Sequence, residues 1–223
     1  MNEFITSSGV EKMLHDGKIL GAHENPSDMF HRVVNTVFAI EDRWPDHHED
    51  TERYRTLFEN LTIDKAISLG TPALTNAGRD EHEQSALSSC VVIPVDLRKI
   101  DEATSKIKGY YKQNMGSGFD FTPYEDPVKL LLWLNELADK ETQSGQYDRY
   151  IGNIGNLHIS HPKIREFIGI KHDKQISHFN ISVDIDDDFM NAVRQHIPYR
   201  LADGTSVDAM ELLREIAESA HFN

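Results

Sequence analysis

The 223-residue chain has a single cysteine, Cys90. No internal disulfide can form, and a reducing cytoplasm is the expected compartment. Positive charge is also scarce: 23 Lys and Arg stand against 37 Asp and Glu, for a formal charge of -14. Nucleic-acid binding rests on neutralising phosphates with basic side chains, so no polynucleotide partner is expected, and an anionic membrane surface is disfavoured. No apolar run approaches the roughly 20 residues that span a bilayer. Met1-Asn2-Glu3-Phe4 lacks the basic start and apolar stretch of a signal peptide, so no membrane association is expected. Repeats and low-complexity linkers are missing too. What remains open is a small nucleotide, which backbone amides and helix N-termini hold without a basic surface. A hydrophobic share of 39% with a mean hydropathy of -0.51 fits a chain that buries an ordinary core. The length suits one large domain or a helical cap plus one α/β unit.

The pattern changes along the chain. Asn25-Pro26 offers a cap and a first-turn proline, and Met29, Val33, Val34, Val37 and Phe38 recur at helical spacing. A second helix is expected from about Thr51, with Tyr54, Leu57, Phe58 and Leu61 on one face. Ser68 to Gly78 is rich in turn-forming residues. From Ser88, strands and helices alternate. Cys90-Val91-Val92-Ile93 reads as a short buried strand, Asp96 to Lys112 as a helix, Gly116-Ser117-Gly118 as a turn and Phe119-Asp120-Phe121 as a second strand. Asp126-Pro127 opens an apolar helix, and Gly152 to Ser160 leads into a strand. Ser160-His161-Pro162 caps a helix, Phe179 to Ile185 is a strand, and Asp186-Asp187-Asp188 starts another helix. After an Asp203-Gly204 turn the last helix runs from about Val207 to Ala220. Strands alternating with helices imply a parallel sheet. Such a unit ending after a helix, with too few strands to close a barrel, predicts a missing partner segment.

Few residues suggest chemistry by themselves. Cys90 among hydroxyls is most simply a small buried hydrophobe. Thr71, Ser88 and Ser89 suit hydrogen bonds to a ribose or phosphate, though turns and caps use the same residues. Asn180 reads equally as a satisfied polar residue at a strand end. The 12 histidines include the pairs His47-His48, His158 with His161, and His172 with His178. None has structural-zinc spacing and no His-Glu-x-x-His occurs, so no metal site is expected.

The motifs in order carry more. Gly70-Thr71-Pro72-Ala73-Leu74-Thr75-Asn76-Ala77-Gly78, Leu87-Ser88-Ser89-Cys90-Val91-Val92-Ile93-Pro94 and Met115-Gly116-Ser117-Gly118-Phe119-Asp120-Phe121 come first. Asn156-Leu157-His158-Ile159, His161-Pro162-Lys163-Ile164-Arg165-Glu166-Phe167-Ile168 and Phe179-Asn180-Ile181-Ser182-Val183 follow. Together they resemble the large, catalytic subunit of ribonucleotide reductase, with a flavour most like the adenosylcobalamin-dependent class. The resemblance implies an α/β fold: an N-terminal helical region over residues 1–68, then over 69–223 the first half of the family's ten-stranded α/β barrel, an incomplete barrel. It implies that Cys90 is one half of the redox pair that reduces the ribose, with its partner thiol outside this chain. Thr71 and Ser89 would contact substrate, with Ser88 beside them. Gly116 would let backbone approach the nucleotide, and Asn180 would support the site. Asp96, six positions past Cys90, would contact the ribose of a specificity effector. The implied partners are a ribonucleotide substrate, a C-terminal half of the reductase, a nucleoside triphosphate effector and a second copy in a homodimer. Adenosylcobalamin would be bound by the complete enzyme rather than by this chain, the alternative being a di-iron radical small subunit.

Three departures matter. Lys129-Leu130-Leu131-Leu132-Trp133 replaces a glycine-rich stretch with a Ser-Gly-Pro element. The basic specificity loop reads Ser144-Gly145-Gln146-Tyr147-Asp148-Arg149-Tyr150, keeping only Arg149 of its charge. The family's thiyl cysteine, with its neighbouring Asn and Glu, falls beyond residue 223. These argue against the family's effector control and against catalysis by this chain alone. Three readings follow: a ribonucleotide reductase portion or split subunit, a non-catalytic nucleotide-binding or assembly protein derived from the half-barrel, and a nucleoside-modifying relative.

Overall fold

The structure is a computed structural model and describes residues 6–16, 19–44, 48–79, 85–113, 115–144, 150–172 and 176–222. The chain divides into two compact units, residues 1–89 and 90–223.

The first unit is helical: α1 (Ser8–Asp16), α2 (Pro26–Phe38), a 3-10 turn (Ala39–Arg43), α3 (His48–Ile63) and α4 (Thr71–Asn76). α2 starts where a capping box satisfies two orphan amides. Asp28 N–H donates to Asn25 Oδ1 at 3.0 Å and Asn25 N–H to Asp28 Oδ2 at 3.1 Å. Its Met29 and Phe30 pack with Leu20 into a small core flanked by Leu14, Ile19, Leu69 and Leu74. Two sequence expectations change here. Tyr54 and Leu57 are exposed, and α3 instead buries Thr51, Thr62 and Ile63. Thr62 tolerates burial because its hydroxyl donates to the Phe58 carbonyl at 2.8 Å. The turn-rich 68–78 stretch contains α4, which Pro72 favours by sitting in the first helical turn.

The second unit holds a four-stranded parallel sheet in the order β1 (Cys90–Val92), β2 (Gly116–Asp120), β3 (Asn153–His158) and β4 (Phe179–Asp184). Helices α5 (Ile100–Tyr111), α6 (Pro127–Gln143) and α7 (Ile164–Gly169) connect or follow these strands. Next come α8 (Asp187–Gln195), an antiparallel hairpin of β5 (Pro198–Arg200) and β6 (Ser206–Asp208), and α9 (Ala209–Phe222). One face of the sheet is covered: Phe119, Leu157 and Phe179 pack with Ile107, Leu131, Leu134 and Phe167 in a single apolar core. Burying each such side chain contributes about 1.5–3 kcal/mol.

Here too the sequence reading is corrected. The Gly116–Gly118 stretch is not a turn but the first half of β2, paired Cys90 to Gly116, Val91 to Ser117 and Val92 to Gly118. Glycine is tolerated because Val92 and Ile154 crowd the strand: a Cβ on Gly118 would lie 3.4 Å from a methyl of each. β1 is not fully buried. It is an edge strand with Cys90 exposed and Val92 76% exposed. α5 begins only at Ile100, because Asp96 Oδ1 accepts from Arg98 N–H at 3.1 Å and holds an Asx turn before it. Among the described residues, no helix is long and apolar enough to cross a membrane.

Candidate active-site face

Successive side chains alternate across a strand, so register decides which residues share a face. Val92, Gly118, Ile154 and Asn180 form one row across all four strands. The Cys90–Gly116 pair lies two residues before it, and Asp120, Asn156 and Ser182 form the row after it. Three residues singled out from sequence, Cys90, Gly116 and Asn180, therefore occupy one face, opposite the apolar core. Cys90 and Asn180 are both exposed. The face is uncharged around Cys90. At the carboxyl ends of the strands it becomes polar, where Asp120 is exposed and the His158–Asp184 pair closes the ladder.

That end carries a hydrogen-bonded chain. His158 Nδ1 accepts from the Ser160 amide at 3.2 Å and lies 2.7 Å from its hydroxyl. Its Nε2 is 3.7 Å from Asp186 Oδ2. Asp186 also caps α8 through Phe189 N–H and accepts from the Tyr199 hydroxyl at 2.8 Å. Burial, followed by the Asp186 carboxylate, pushes the Tyr199 phenol well above its ordinary range.

Thr71 is the exposed first residue of α4, while Ser88 is exposed and Ser89 half-buried in the bend before β1. These three belong to residues 1–89, apart from the unit that carries the sheet. Asp96 follows β1, and its carboxylate is already engaged. Arg98 Nε lies 2.8 Å from Asp96 Oδ1, and this hydrogen bond holds the carboxyl below its ordinary range. Arg98 in turn lies over the Tyr124 ring at 5.7 Å.

The histidine pairs serve other ends. His161 Nε2 is 3.0 Å from the Tyr124 carbonyl while its Nδ1 accepts from Lys163 N–H. His172 lies 3.0 Å from Ser219 Oγ, and His178 is buried, stacked on Tyr150 and 2.8 Å from the Ile151 carbonyl. His47 lies outside the described residues, as do residues 145–149 of the expected specificity loop. Among the described residues, no three His, Cys, Asp or Glu side chains converge as metal ligands.

Sequence reasoning missed Val92, Gly118, Ile154, Asn156 and Ser182 on the face. Reading 116–118 as a strand would have exposed the signal, since alternation from Cys90 and Asn180 then selects them.

A family model for the ribonucleotide reductase barrel domain matches residues 88–221. The chain belongs to the ribonucleotide reductase barrel family. It is similar to the vitamin B12-dependent ribonucleoside-diphosphate reductase of Mycobacterium tuberculosis, at 26% identity over 94% of this chain and 32% of that protein. The enzyme of that name from Thermoplasma acidophilum is 31% identical over 62% of this chain and 20% of its own length. The chain thus spans about a third or less of the length of these relatives. For a ribonucleotide reductase barrel, the mixed α/β architecture with an open parallel sheet is the expected frame.

The relatives' names raise the question of cobalamin. Cavities at the described residues measure about 310 Å³ beside β4, 350 Å³ past the end of β1 and 520 Å³ along α6. They match drug-sized ligands, whereas a corrin with its axial groups is far larger. None of these three cavities by itself would hold that cofactor.

Proposed function

We propose that this chain supplies the Cys90-bearing part of a ribonucleotide reductase that reduces ribonucleotides to 2'-deoxyribonucleotides for DNA synthesis. The observation that carries this reading is the shared face of Cys90, Gly116 and Asn180, within a chain of the reductase barrel family. Gly116, buried and without a side chain, lies beside the thiol in register, and Asn180 offers a donor and an acceptor on the same face. Thr71, Ser88 and Ser89 are assigned to substrate binding.

The redox balance is explicit. The 2'-hydroxyl leaves as water, its carbon gains hydrogen, and two thiols become one disulfide. Cys90 is one thiol; the sequence has no second cysteine. The other thiol and the hydrogen-abstracting radical therefore come from a partner polypeptide or segment, which we assign to a C-terminal reductase half. The names of the relatives favour a cobalamin-dependent radical source in the complete enzyme over a di-iron small subunit. β1 and β4 are the outer strands of the described sheet, where a partner that extends the sheet would pair. Effector control through Asp96 is disfavoured, because Arg98 already occupies its carboxylate; homodimerisation belongs to the complete assembly.

The test is capture of the partner from the native extract, followed by a reductase assay on the pair. A partner with the missing cysteines, and deoxynucleotide formation abolished by Cys90→Ser, would support the reading. Nucleotide binding with no reduction by the captured complex would favour the non-catalytic binding protein instead.

A further inference from the structure

We infer that Glu24, Arg32 and Arg79 form a clamp that positions the two hydroxyl-bearing segments, Thr71–Pro72 and Ala86–Ser89, and so controls nucleotide binding without touching the nucleotide. The inference rests on the reading that Thr71 and Ser89 face substrate. The Glu24 carboxylate gathers both guanidinium groups: Arg32 Nε at 2.7 Å, Arg32 Nη2 at 3.0 Å and Arg79 Nη2 at 3.4 Å. Its Oε2 also accepts from Gly21 N–H at 2.9 Å. The three side chains are only 9–16% exposed, so this charge cluster is not a solvated surface pair.

The outward side of the clamp grips α4. Arg32 Nη2 donates to the Leu74 carbonyl at 2.9 Å and Arg32 Nη1 to the Ala77 carbonyl. These carbonyls lie at the end of the Thr-Pro helix, where a cation is favoured by both the orphan acceptors and the helix dipole. One guanidinium thus joins the carboxylate to α4, a task for a rigid fork and not for a lysine. Gly78 lets the chain close against α2. It has φ of +67°, and a Cβ there would fall 2.4 Å from Thr36 Oγ1. α4 then passes the constraint on, because Asn76 Nδ2 donates to the Ala86 carbonyl at 2.8 Å, three residues before Ser89. From Glu24 through Arg32 and α4 to the Ala86 carbonyl, directional hydrogen bonds add to the apolar packing of Leu74, so the clamp sets position as well as stability.

A double-mutant cycle in the 223-residue chain, studied in its captured complex, separates positioning from bulk stability. The probe is cytidine 5'-diphosphate, with binding measured by titration and α4 followed by amide hydrogen exchange. Arg32→Lys is expected to speed exchange at Ala73 to Ala77 while leaving Met29 to Val34 unchanged. It should also weaken binding about tenfold, and the loss should not add to that of Thr71→Ala. If Arg32→Lys does not fold, Arg79→Lys takes its place in the cycle. Additive losses, or equal acceleration in α2 and α4, would overturn the clamp while leaving the nucleotide reading intact. Full binding by Thr71→Ala and Ser89→Ala would overturn the nucleotide reading and the inference with it.

Discussion

Residues 1–89 and 90–223 solve the same problem, a polypeptide that must hold loops in place, by opposite means. The helical unit has a small apolar core around Leu20, Met29 and Phe30, and joins its segments through the Glu24–Arg32–Arg79 cluster. The sheet unit fills one contiguous core and buries, among its described residues, only neutral polar side chains and two histidines, His161 and His178. Its interior polar contacts join neutral groups: Asn153 accepts from Ser117 N–H and donates to the Tyr111 hydroxyl, and Asn135 accepts from His178 N–H. The lesson is one of scale. Where the core is thin, geometry comes from directional charge-assisted bonds; where a sheet is backed by one contiguous core, packing suffices.

That contrast is open to attack, because each unit contains one of the two tryptophans, Trp44 and Trp133. The largest effects are expected from breaking each unit by its own means. Glu24→Ala leaves two guanidinium groups without their carboxylate and should destabilise the helical unit by about 3 kcal/mol. Leu131→Ala, at a fully buried site, should cost the sheet unit about 2–5 kcal/mol. Denaturant titration read at Trp44 in a Trp133→Phe background, and at Trp133 in a Trp44→Phe background, assigns each loss. Equal shifts at both probes for either variant would contradict the division.

A smaller effect is expected for Gly155→Ala. The added Cβ would meet a Phe121 ring carbon at 2.6 Å, and overpacking of this kind costs about 1–3 kcal/mol. The Trp133 transition should record it while Trp44 does not.

Acid should then distinguish the units without mutation. Burial raises the Glu24 carboxyl, but the bonds from Arg32, the Gly21 amide and Arg79 outweigh it and hold the group below its ordinary value of 4.5. A depressed carboxyl stabilises the fold above the unfolded value and loses that contribution as pH falls through the folded one. Below pH 4.5, therefore, the Trp44 midpoint should fall more steeply in wild type than in Glu24→Gln. Parallel curves would show that the cluster carries no linkage. The smallest effect belongs to the exposed Arg165 pairs with Glu211 and Glu215, where Arg165→Ala should cost about 0.2–1 kcal/mol, with salt weakening the difference.

Legibility in the sequence followed the range of the interactions. The capped start of α2, the apolar face of α6, the strands containing Phe119 and Phe179 and the Asp186 cap are local patterns, and each was readable. The Gly116–Gly118 strand was not, since glycine's turn preference points the wrong way until Cys90, Val92 and Ile154 are known to flank it. The α3 stripe was misplaced because Thr51 and Thr62 are buried while Tyr54 and Leu57 are exposed, a choice made by tertiary packing. The β5–β6 hairpin was seen only as its Asp203-Gly204 turn. Of the candidate site, Cys90, Gly116 and Asn180 were found through family resemblance, yet their common face required the register. Nothing in the sequence distinguishes Glu24 and Arg32 from solvated charges; only the carbonyls of Leu74 and Ala77, far along the chain, do so.

On this reading the exposed face bearing Cys90 performs the reduction. The most direct measurement is differential alkylation of Cys90, with peptide mass spectrometry, before and after a single turnover of the captured complex without external reductant. Cys90 is expected to pass from alkylatable thiol to a disulfide with a partner cysteine, in proportion to the deoxynucleotide formed. Deoxynucleotide formation with Cys90 still fully alkylatable would contradict it.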